Sequence, residues 1–379
     1  MTSTTITRAD APDLLPISVS GASRDRGIAQ GQKLAPTIVE HWAKLTHSFA
    51  VAGLGTPRTY VDSLMAETRF EEAIGRHAPH LLDEIAGIAA GSGLAQRDVY
   101  ALQLLDEEWA YRARRAAAGK REKCSSLAIH DPAADGGRGA TWIGQNMDLG
   151  DYTDGLQVVI RHAPDGDRPG MLLLTTAGVI ALLGVNDAGV GVCVNSLPQL
   201  PNAPEGMPVA FVIRRLLECR SAGEAAEVCR ELPHATNQHY LIADPDGFVS
   251  LECSAAGVTE YRPPEPDRIL HTNHPLAGAD AERYPVAEVN SVARLRALEA
   301  RLARGEAAMP ALQAALSSRD DPAHPLCRPG QAGGLIGFTT GSMISLLRRP
   351  PAGVESAISL GPPSERGYRD YRLTQAEAA

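Results

Sequence analysis

The sequence has little of several features that mark common protein classes. No apolar run reaches the roughly 18 residues that a membrane-spanning helix needs, so a membrane protein is not expected. The formal net charge is −9 and no basic face is evident, which disfavours nucleic acid and anionic membranes as partners. The 6 cysteines include no C-x-x-C pair, so neither a disulfide framework nor a clustered zinc site is expected.

Targeting and cofactor signals are also missing. The N-terminus lacks a cationic start followed by an apolar core, so no signal peptide is evident and a cytoplasmic location with reduced thiols is expected. The Gly-rich stretches GVNDAGVGV and GQAGGLIGF do not combine the spacing and the following helix of a dinucleotide-binding or phosphate-binding loop. We therefore expect a protein without a bound cofactor.

Hydrophobic residues make up 44% of the 379 residues, enough for a large core. The chain divides into two regions with different residue patterns. Residues 17 to about 118 read as helices, because apolar residues such as Leu34 and Ile38 recur at helical spacing. A basic cluster at 112–123 ends this region. It predicts an exposed helix end and loop, which is the kind of segment where a chain can be cut.

From Cys124 onward the pattern becomes that of β-strands. Short apolar runs such as CSSLAI, ATWIGQN, LQVVIRH and MLLLTT are separated by turn-forming stretches, among them DPAADGGRG, PDGDRPG and DPDG. Asp-Gly between apolar runs is a strong hairpin signal, and sequential hairpins form antiparallel sheets. Helical patterns return at AFVIRRLLECR, AGEAAEVCREL, VARLRALEARLARG and PALQAALSS. This mixture predicts an α+β fold in which helical layers cover antiparallel sheets.

Cys124 is the first candidate for chemistry. It opens the first strand after the basic segment, and Ser125 and Ser126 follow it. A lone cysteine is more often a small buried hydrophobe than a nucleophile. If the peptide bond before Cys124 were cut, however, one residue would carry both the thiol and a free α-amine. The pKa of such an amine is about 8, so its neutral form can accept the thiol proton.

Two polar strand ends are candidates to assist this thiol. Asp148 ends the stretch GQNMD and would lie near the thiol or amine if the first hairpin forms; a plain polar strand end is the alternative interpretation. Asn273 in HTNHP can aim its side-chain NH2 at a developing oxyanion. His271 and His274 would face opposite sides of an extended strand, so their spacing predicts no metal site.

The order and combination of these segments resemble a known family. KCSSLAI, WIGQNMDL, GVNDAGVGVCVNSL, HYLIADPDG, HTNHP and MISLLRRPPAGVESAISLG are similar to segments of the autoproteolytic acyltransferases and hydrolases related to acyl-CoA:6-aminopenicillanic acid acyltransferase. These are N-terminal nucleophile hydrolases. The resemblance begins at GASRDRGIAQGQKL, covers nearly the whole chain, and implies a four-layer αββα sandwich of two antiparallel sheets flanked by helices.

The resemblance also implies self-cleavage. Cys124 would attack the carbonyl of Lys123 in an N-to-S acyl shift, and hydrolysis would release a helical pro-segment of residues 1–123. The remaining segment, 124–379, would begin with the nucleophile. The two segments would stay associated as a heterodimer.

The roles of the site residues are likewise what the resemblance implies. Cys124 would be the nucleophile and its freed α-amine the general base, while Asp148 would orient or polarise this chain end. Asn273 would stabilise the oxyanion. Ser126 and His274 are candidates for supporting roles, and no metal-binding or cofactor-binding residue is implied.

The expected function is acyl transfer through a thioester of Cys124. The substrate would be a small-molecule N-acyl amide or, less expected, an acyl thioester, and water is the favoured acceptor. Two alternatives remain open. An uncut chain can pair Cys124 with His271 or His274 as a catalytic dyad, or a silent member of the fold can serve as a binding module. Fast reaction of Cys124 with iodoacetamide, relative to the other cysteines, would argue against the silent module.

Overall fold

The fold comes from a computed structural model of the chain, which describes residues 15–115, 124–283, 289–302, 307–330 and 337–374. Lys123 and the cleavage predicted at its carbonyl lie outside these residues, as does the basic cluster from 116 onward. The division into segments 1–123 and 124–379 therefore stays a prediction.

The N-terminal region, residues 15–115, is helical as the apolar spacing predicts. Its helices are α1 (Ser23–Val51), α2 (Pro57–Glu67), α3 (Phe70–His77), α4 (Pro79–Ser92), α5 (Gln96–Leu102) and α6 (Leu105–Arg115). The sequence did not predict the short strand β1 (Ile17–Val19), which precedes α1. Three residues are too few for an alternating pattern to be distinguished from a loop.

The C-terminal region, residues 124–374, carries the other strands and the helices between them. Its strands are β2 (Cys124–Asp131), β3 (Ala140–Leu149), β4 (Gln157–His162), β5 (Met171–Thr176), β6 (Leu183–Asn186), β7 (Gly191–Ser196), β8 (Gln238–Asp244), β9 (Gly247–Ser254), β10 (Gly257–Glu260), β11 (Arg268–His271), β12 (Phe338–Leu347), β13 (Val354–Ser359) and β14 (Arg369–Leu373). Its helices are α7 (Ala134–Gly137), α8 (Val209–Leu217), α9 (Ala222–Glu231), α10 (Gly278–Arg283), α11 (Val289–Arg301), α12 (Met309–Leu316) and α13 (Pro363–Arg366).

The strands form two sheets, and the hairpins predicted from the turn sequences pair β2 with β3, β4 with β5 and β8 with β9. One sheet has the order β1-β4-β5-β6-β7-β8-β9-β10 and the other β11-β2-β3-β12-β13-β14. Neighbouring strands are antiparallel, except that β1 pairs with β4 in parallel. The sheets therefore confirm the α+β prediction, with one parallel edge strand as the exception.

The two sheets pack face to face and helices cover their outer faces. Strands β2 and β3 contact β7, β8 and β9 across the interior. Helices α8 and α9 lie on the eight-stranded sheet, whereas α11 and α12 lie on the six-stranded sheet. This is the predicted four-layer αββα sandwich. No helix in the described part of the chain is long and apolar enough to cross a membrane.

Helices α1 and α4 touch along a stripe of glycines. Gly27 and Gly31 of α1 face Gly87 and Gly91 of α4. A Cβ atom added at Gly27 would lie only 2.1 Å from the backbone oxygen of Glu84, so the two backbones meet where a side chain cannot fit. Close backbone approach is one of the few demands that only glycine meets.

Buried charges join the N-terminal region to the sandwich. Arg214 of α8 donates two hydrogen bonds to the carboxylate of Glu84 on α4, at 2.6 and 2.9 Å, and both side chains are fully buried. Burial opposes the charge on Glu84, but Arg214 and the more distant Arg26 outweigh it and lower the pKa of the carboxyl to about 2. The carboxyl of Glu84 is therefore ionised at neutral pH, and the two side chains form a charged pair.

Candidate active site

Cys124 lies at the start of β2, with 7% of its surface exposed. The predicted hairpin is present, and Met147 of β3 is the residue directly opposite Cys124. Because side chains alternate along a strand, Cys124 and Ser126 face the interior between the sheets, whereas Ser125 faces the helices outside. The thiol of Cys124 therefore lies between the two sheets, at the N-terminal end of β2.

Both backbone polar atoms of Cys124 are held by buried side chains. Its N–H donates to Oδ1 of Asn273 at 2.7 Å, and its carbonyl oxygen accepts from Nη1 of Arg294 at 2.5 Å. The same guanidinium donates to Oδ1 of Asn273 and to Oγ of Ser125, each at 2.8 Å. Asn273 and Arg294 thus fix the position of the residue that would become an N-terminus after cleavage.

Arg294 was not among the candidates from the sequence. It lies on α11 on one buried stripe with Ser291 and Leu298, and its Nε donates to Oδ1 of Asn290 at 2.9 Å. Only 1% of its surface is exposed. A charged residue at an apolar position of a helical stripe is the signal that could have identified it, because a buried guanidinium needs acceptors.

Asn273 follows β11 and contacts Cys124 through its amide oxygen. Its backbone N–H donates to Oγ of Ser291 at 2.8 Å, and its Nδ2 donates to the carbonyl of Ser196 at 2.9 Å. The predicted proximity of Asn273 to Cys124 is therefore present. Nδ2 also lies 3.4 Å from Oγ of Ser196, so one of its two hydrogens makes only this long contact. The oxyanion role of this group stays a prediction.

Asp148 is next to Cys124 in register but on the other face of the sheet. It follows Met147, the partner of Cys124, and alternation along β3 turns its side chain toward the outer face. Its Oδ1 accepts from Oγ1 of Thr339 on β12 at 2.7 Å. This position is one step beyond the pair formed by Cys124, so Asp148 can reach the chain end at Cys124 rather than the thiol.

A polar network fills the interior beside Ser126. Oγ of Ser126 donates to Oδ1 of Asn195 on β7 at 2.6 Å, and Nδ1 of His239 on β8 donates to the same oxygen at 3.0 Å. Nε2 of His239 then accepts from Oγ of Ser250 at 2.9 Å. Burial, and secondarily the neighbouring His271, lowers the pKa of His239 well below its ordinary value. A neutral imidazole in this tautomer fits both contacts.

Asn195 has an unused donor in this network. Its oxygen accepts two hydrogen bonds, but its Nδ2 is buried and has no partner among the described residues. Buried side-chain donors are seldom left unpaired, so an empty donor on a residue that contacts Ser126, two positions along β2 from Cys124, indicates a ligand position. Sequence reasoning missed Asn195, although it shares an inward face with Cys193 in the run GVCVNS.

The two histidines of HTNHP are engaged elsewhere. The ring of His271 stacks on that of His239 with centroids 3.6 Å apart, and its nitrogens face Glu252 and the carbonyl of Thr272. Nδ1 of His274 lies 2.8 Å from Oγ of Ser291, and burial lowers the pKa of this imidazole to about 4. A dyad of Cys124 with His271 would have to break a buried pair with Glu252, which disfavours it.

A second thiol near Cys124 is that of Cys193 on the facing strand β7. Burial, with a smaller contribution from Cys124, raises the pKa of Cys193 far above its usual range. Cys193 is therefore protonated at neutral pH and is a poor nucleophile.

The family model of acyl-coenzyme A:6-aminopenicillanic acid acyl-transferase matches residues 135–332, just over half of the chain. This stretch contains Asp148, Asn195, Asn273 and Arg294 and begins after Cys124. The Emericella nidulans protein named acyl-coenzyme A:6-aminopenicillanic-acid-acyltransferase 40 kDa form is 28% identical over 224 residues. That alignment covers 58% of this chain and 59% of the fungal protein, less than two thirds of its length.

Two solved hydrolase structures are also similar to parts of the chain. The Caenorhabditis elegans orthologue of N-acylethanolamine-hydrolyzing acid amidase matches 66% of this chain and 100% of its own, at 15% identity and a TM-score of 0.40. A mutant form of conjugated bile acid hydrolase from Clostridium perfringens matches 67% of this chain and 98% of its own, at 13% identity and a TM-score of 0.44. From the family match, the chain belongs to the acyl-coenzyme A:6-aminopenicillanic acid acyl-transferase family.

Proposed function

We propose that this chain is a self-cleaving cysteine amidohydrolase or acyltransferase that forms a thioester on Cys124. The observation that carries the proposal is the clamp on Cys124, in which Asn273 holds the backbone nitrogen and Arg294 holds the carbonyl oxygen. An ordinary strand residue does not need two buried polar side chains on its own backbone atoms. A residue whose nitrogen becomes a catalytic amine does, because that amine must stay oriented after the chain is cut.

Self-cleavage would proceed by an N-to-S acyl shift. Sγ of Cys124 attacks the carbonyl carbon of Lys123, the C–N bond breaks, and the acyl group passes to sulfur while the nitrogen takes a proton. Water then hydrolyses the thioester, leaving the carboxylate of Lys123 and a free α-amine and thiol on Cys124. Segments 1–123 and 124–379 would remain together through the buried contacts of α4 and α6 with the sandwich.

Turnover would use the new amine as the base. The neutral α-amine accepts the thiol proton as Sγ attacks the acyl carbon of an N-acyl amide, and the resulting ammonium returns the proton to the departing amine nitrogen. Water or another amine then attacks the thioester. The unpaired Nδ2 of Asn195 and the second hydrogen on Nδ2 of Asn273 are the donors proposed for the oxyanion.

Asp148 and Ser126 would orient the α-amine of Cys124 and the side chain of Asn195, respectively. Asp148 lies in register beside the chain end at Cys124 and would balance the charge of the ammonium form. Ser126 occupies Oδ1 of Asn195, which leaves Nδ2 to point elsewhere. His274, bonded to Ser291 behind Asn273, would hold that loop in place.

An amide is the proposed substrate and water the proposed acceptor. Hydrolysis of an amide needs one bound organic substrate, whereas transfer from an acyl-coenzyme A thioester, the chemistry named for the fungal relative, needs two. The identity of the acyl group depends on pocket-lining residues rather than on the chemistry that the family shares.

A denaturing intact-mass spectrum tests self-cleavage. Wild type is expected to give two species of roughly 13 and 27 kDa, in proportion to lengths of 123 and 256 residues. Cys124→Ala should give one chain of 40.1 kDa. Cys193→Ala is the matched control, since this neighbouring buried thiol should be dispensable for the cut. A single chain in wild type would overturn self-cleavage and leave the uncut dyad or the silent module.

A second measurement addresses the thioester. Purified enzyme mixed with a panel of N-acyl amides and quenched in acid should carry an acyl adduct on the peptide that contains Cys124. Release of the amine should be lost in Cys124→Ala. An alternative result is a protein that cuts itself, forms no adduct with any amide and releases no amine, but releases a thiol from an acyl thioester. That result would change the proposed substrate from an amide to an acyl thioester.

A further inference from the structure

A second cluster of reactive side chains lies on the outer side of the eight-stranded sheet, away from Cys124. It contains Cys229 at the end of α9, His234 in the following loop and Cys253 on β9, all buried. One ligand atom from each lies within 4.8 Å of the other two. The spacing of cysteines in the sequence predicts no such cluster, because Cys229 and Cys253 are 24 residues apart and meet only when α9 packs on β9.

The separation of the two sulfurs fits a shared metal. Sγ of Cys229 and Sγ of Cys253 lie 3.7 Å apart. Two thiolates bound at about 2.3 Å to one tetrahedral zinc would lie about 3.8 Å apart. A disulfide would instead require the sulfurs to approach to about 2.05 Å. The side chains therefore need little movement to bind a metal and considerably more to form a disulfide.

The orientation of His234 supports a metal independently. Its Nε2 lies 2.9 Å from the carbonyl oxygen of Cys229, and a carbonyl only accepts, so Nε2 must carry the hydrogen. Nδ1 then has a free lone pair, yet it is buried and has no partner among the described residues. A histidine whose second nitrogen is fixed by a backbone carbonyl, and whose first nitrogen is unpaired, has the usual arrangement of a metal ligand.

The loop that carries His234 is held by backbone hydrogen bonds to the segment around Met207. Met207 pairs with His234, and its backbone exchanges hydrogen bonds with Pro233 and Ala235. Gly206 has φ +109, and a Cβ there would lie 2.7 Å from the nitrogen of Ala235, so a larger residue cannot occupy this position. His234 also lines a surface cavity of about 520 Å³.

We propose that Cys229, His234 and Cys253 bind one zinc ion through two thiolates and one imidazole, with an exchangeable fourth ligand. Thiolate and imidazole ligands favour zinc over calcium or magnesium, which prefer oxygen. The site lies on the opposite face of β9 from Glu252, which belongs to the interior network beside Cys124. The proposal is independent of the activity of Cys124.

Cobalt titration tests the site, because Co2+ replaces Zn2+ in tetrahedral thiolate sites and gives them colour. Full-length chain, reduced and freed of metal, is expected to bind one equivalent of Co2+ with thiolate-to-cobalt charge-transfer absorption that Zn2+ then abolishes. Cys229→Ser and Cys253→Ser should each lose about half of this absorption, since each removes one of two thiolates. Cys219→Ser is the matched control: it lies in the same helical layer and should keep the full signal.

A measurement on wild type covers the case in which the serine variants do not fold. Peptide mapping after slow alkylation should show that Zn2+ protects Cys229 and Cys253 but not Cys219. Three outcomes would overturn the proposal: no charge-transfer band in wild type, a band that survives in folded Cys229→Ser, or a resting Cys229–Cys253 disulfide in protein that binds no metal. None of these readouts depends on self-cleavage, so each proposal can fail alone.

Discussion

The N-terminal region and the C-terminal region contribute to the molecule in different ways. Among the described residues, every side chain of the candidate site comes from 124–374, including Asn195, Asn273 and Arg294. Residues 15–115 contribute buried charges and glycines to the packing instead, such as Glu84 and Gly27. The difference teaches that one region can support the fold without contributing a side chain to the candidate site, and it separates variants expected to reduce stability from variants expected to reduce turnover.

The largest effect is expected from breaking the buried ion pair between the two regions. Glu84→Gln leaves the fully buried guanidinium of Arg214 without its charged partner, which typically costs about 3–5 kcal/mol of unfolding free energy. Urea unfolding measures this, and kcat of the enzyme that remains folded should be unchanged. Glu67→Gln, which breaks an exposed pair with Arg115, should leave stability nearly unchanged. Equal effects of the two changes would contradict the assigned role.

The next largest effect is expected at Asn195, the oxyanion donor proposed for the C-terminal region. Asn195→Ala should lower kcat by about 10²–10³, because one preorganised donor to the oxyanion is lost. Asn186 is the matched control, since its Nδ2 donates to the carbonyls of Leu217 and Cys219 at the end of α8. Asn186→Ala should lower stability and spare kcat. A fall of kcat of less than tenfold in Asn195→Ala would remove this residue from the oxyanion site.

A smaller effect is expected where the helices of the N-terminal region touch. Gly27→Ala would place a methyl group 2.1 Å from the carbonyl of Glu84, and overpacking of this kind costs about 1–3 kcal/mol. In α3, a Cβ at Gly75 meets nothing within 4 Å, so Gly75→Ala should be neutral or stabilising. Thermal unfolding of the two variants distinguishes close packing from the general effect of replacing a helical glycine.

The smallest effect is a pH dependence at the boundary between the regions. Oε1 of Glu107 on α6 accepts hydrogen bonds from the backbone N–H of Val209 and from Oγ1 of Thr236, and Oε2 has no partner among the described residues. Burial, together with the neighbouring Asp106, raises the pKa of the Glu107 carboxyl. The folded state then holds a proton that the unfolded state releases above the ordinary carboxyl pKa, so stability falls as pH rises past that value. Within this window the slope is at most about 1.4 kcal/mol per pH unit.

Glu107→Gln tests the sign of that dependence. The amide cannot ionise, so the variant should lose less stability than wild type between about pH 5.5 and about pH 6.5. Urea unfolding at several pH values gives the slopes. Because Asp106 is also buried beside Gln238 and its pKa is raised as well, part of the slope should remain in the variant. A steeper slope in Glu107→Gln would contradict a raised pKa.

Much of the fold follows from local sequence patterns. Asp-Gly turns between apolar runs predicted the hairpins, and helical spacing predicted α8, α9, α11 and α12, because these signals depend on neighbours a few residues away. The parallel pairing of β1 with β4 could not be predicted in this way. Ile17 pairs with Ile160, and no local feature of a three-residue strand specifies so distant a partner.

The candidate site divides along the same line. Cys124 and Asn273 were identified because a strand start and a strand end have local signatures, and the fold brings them within 2.7 Å. Asn195 and Arg294 were not identified from the sequence. Their contacts depend on which strand of the other sheet faces β2 and on which helix covers β2. Such contacts join residues 69 and 170 positions apart, and one sequence holds no periodicity at that range.

The strand β1 has a consequence for how the molecule behaves in solution. It pairs with β4 at one end of the eight-stranded sheet, and the N–H of Ala163 donates to Val19. Without it, the six residues of β4 would present unpaired N–H and C=O groups, the usual starting point of aggregation through sheet edges. The N-terminal region thus protects a sheet edge, and residues 124–379 produced alone are expected to self-associate.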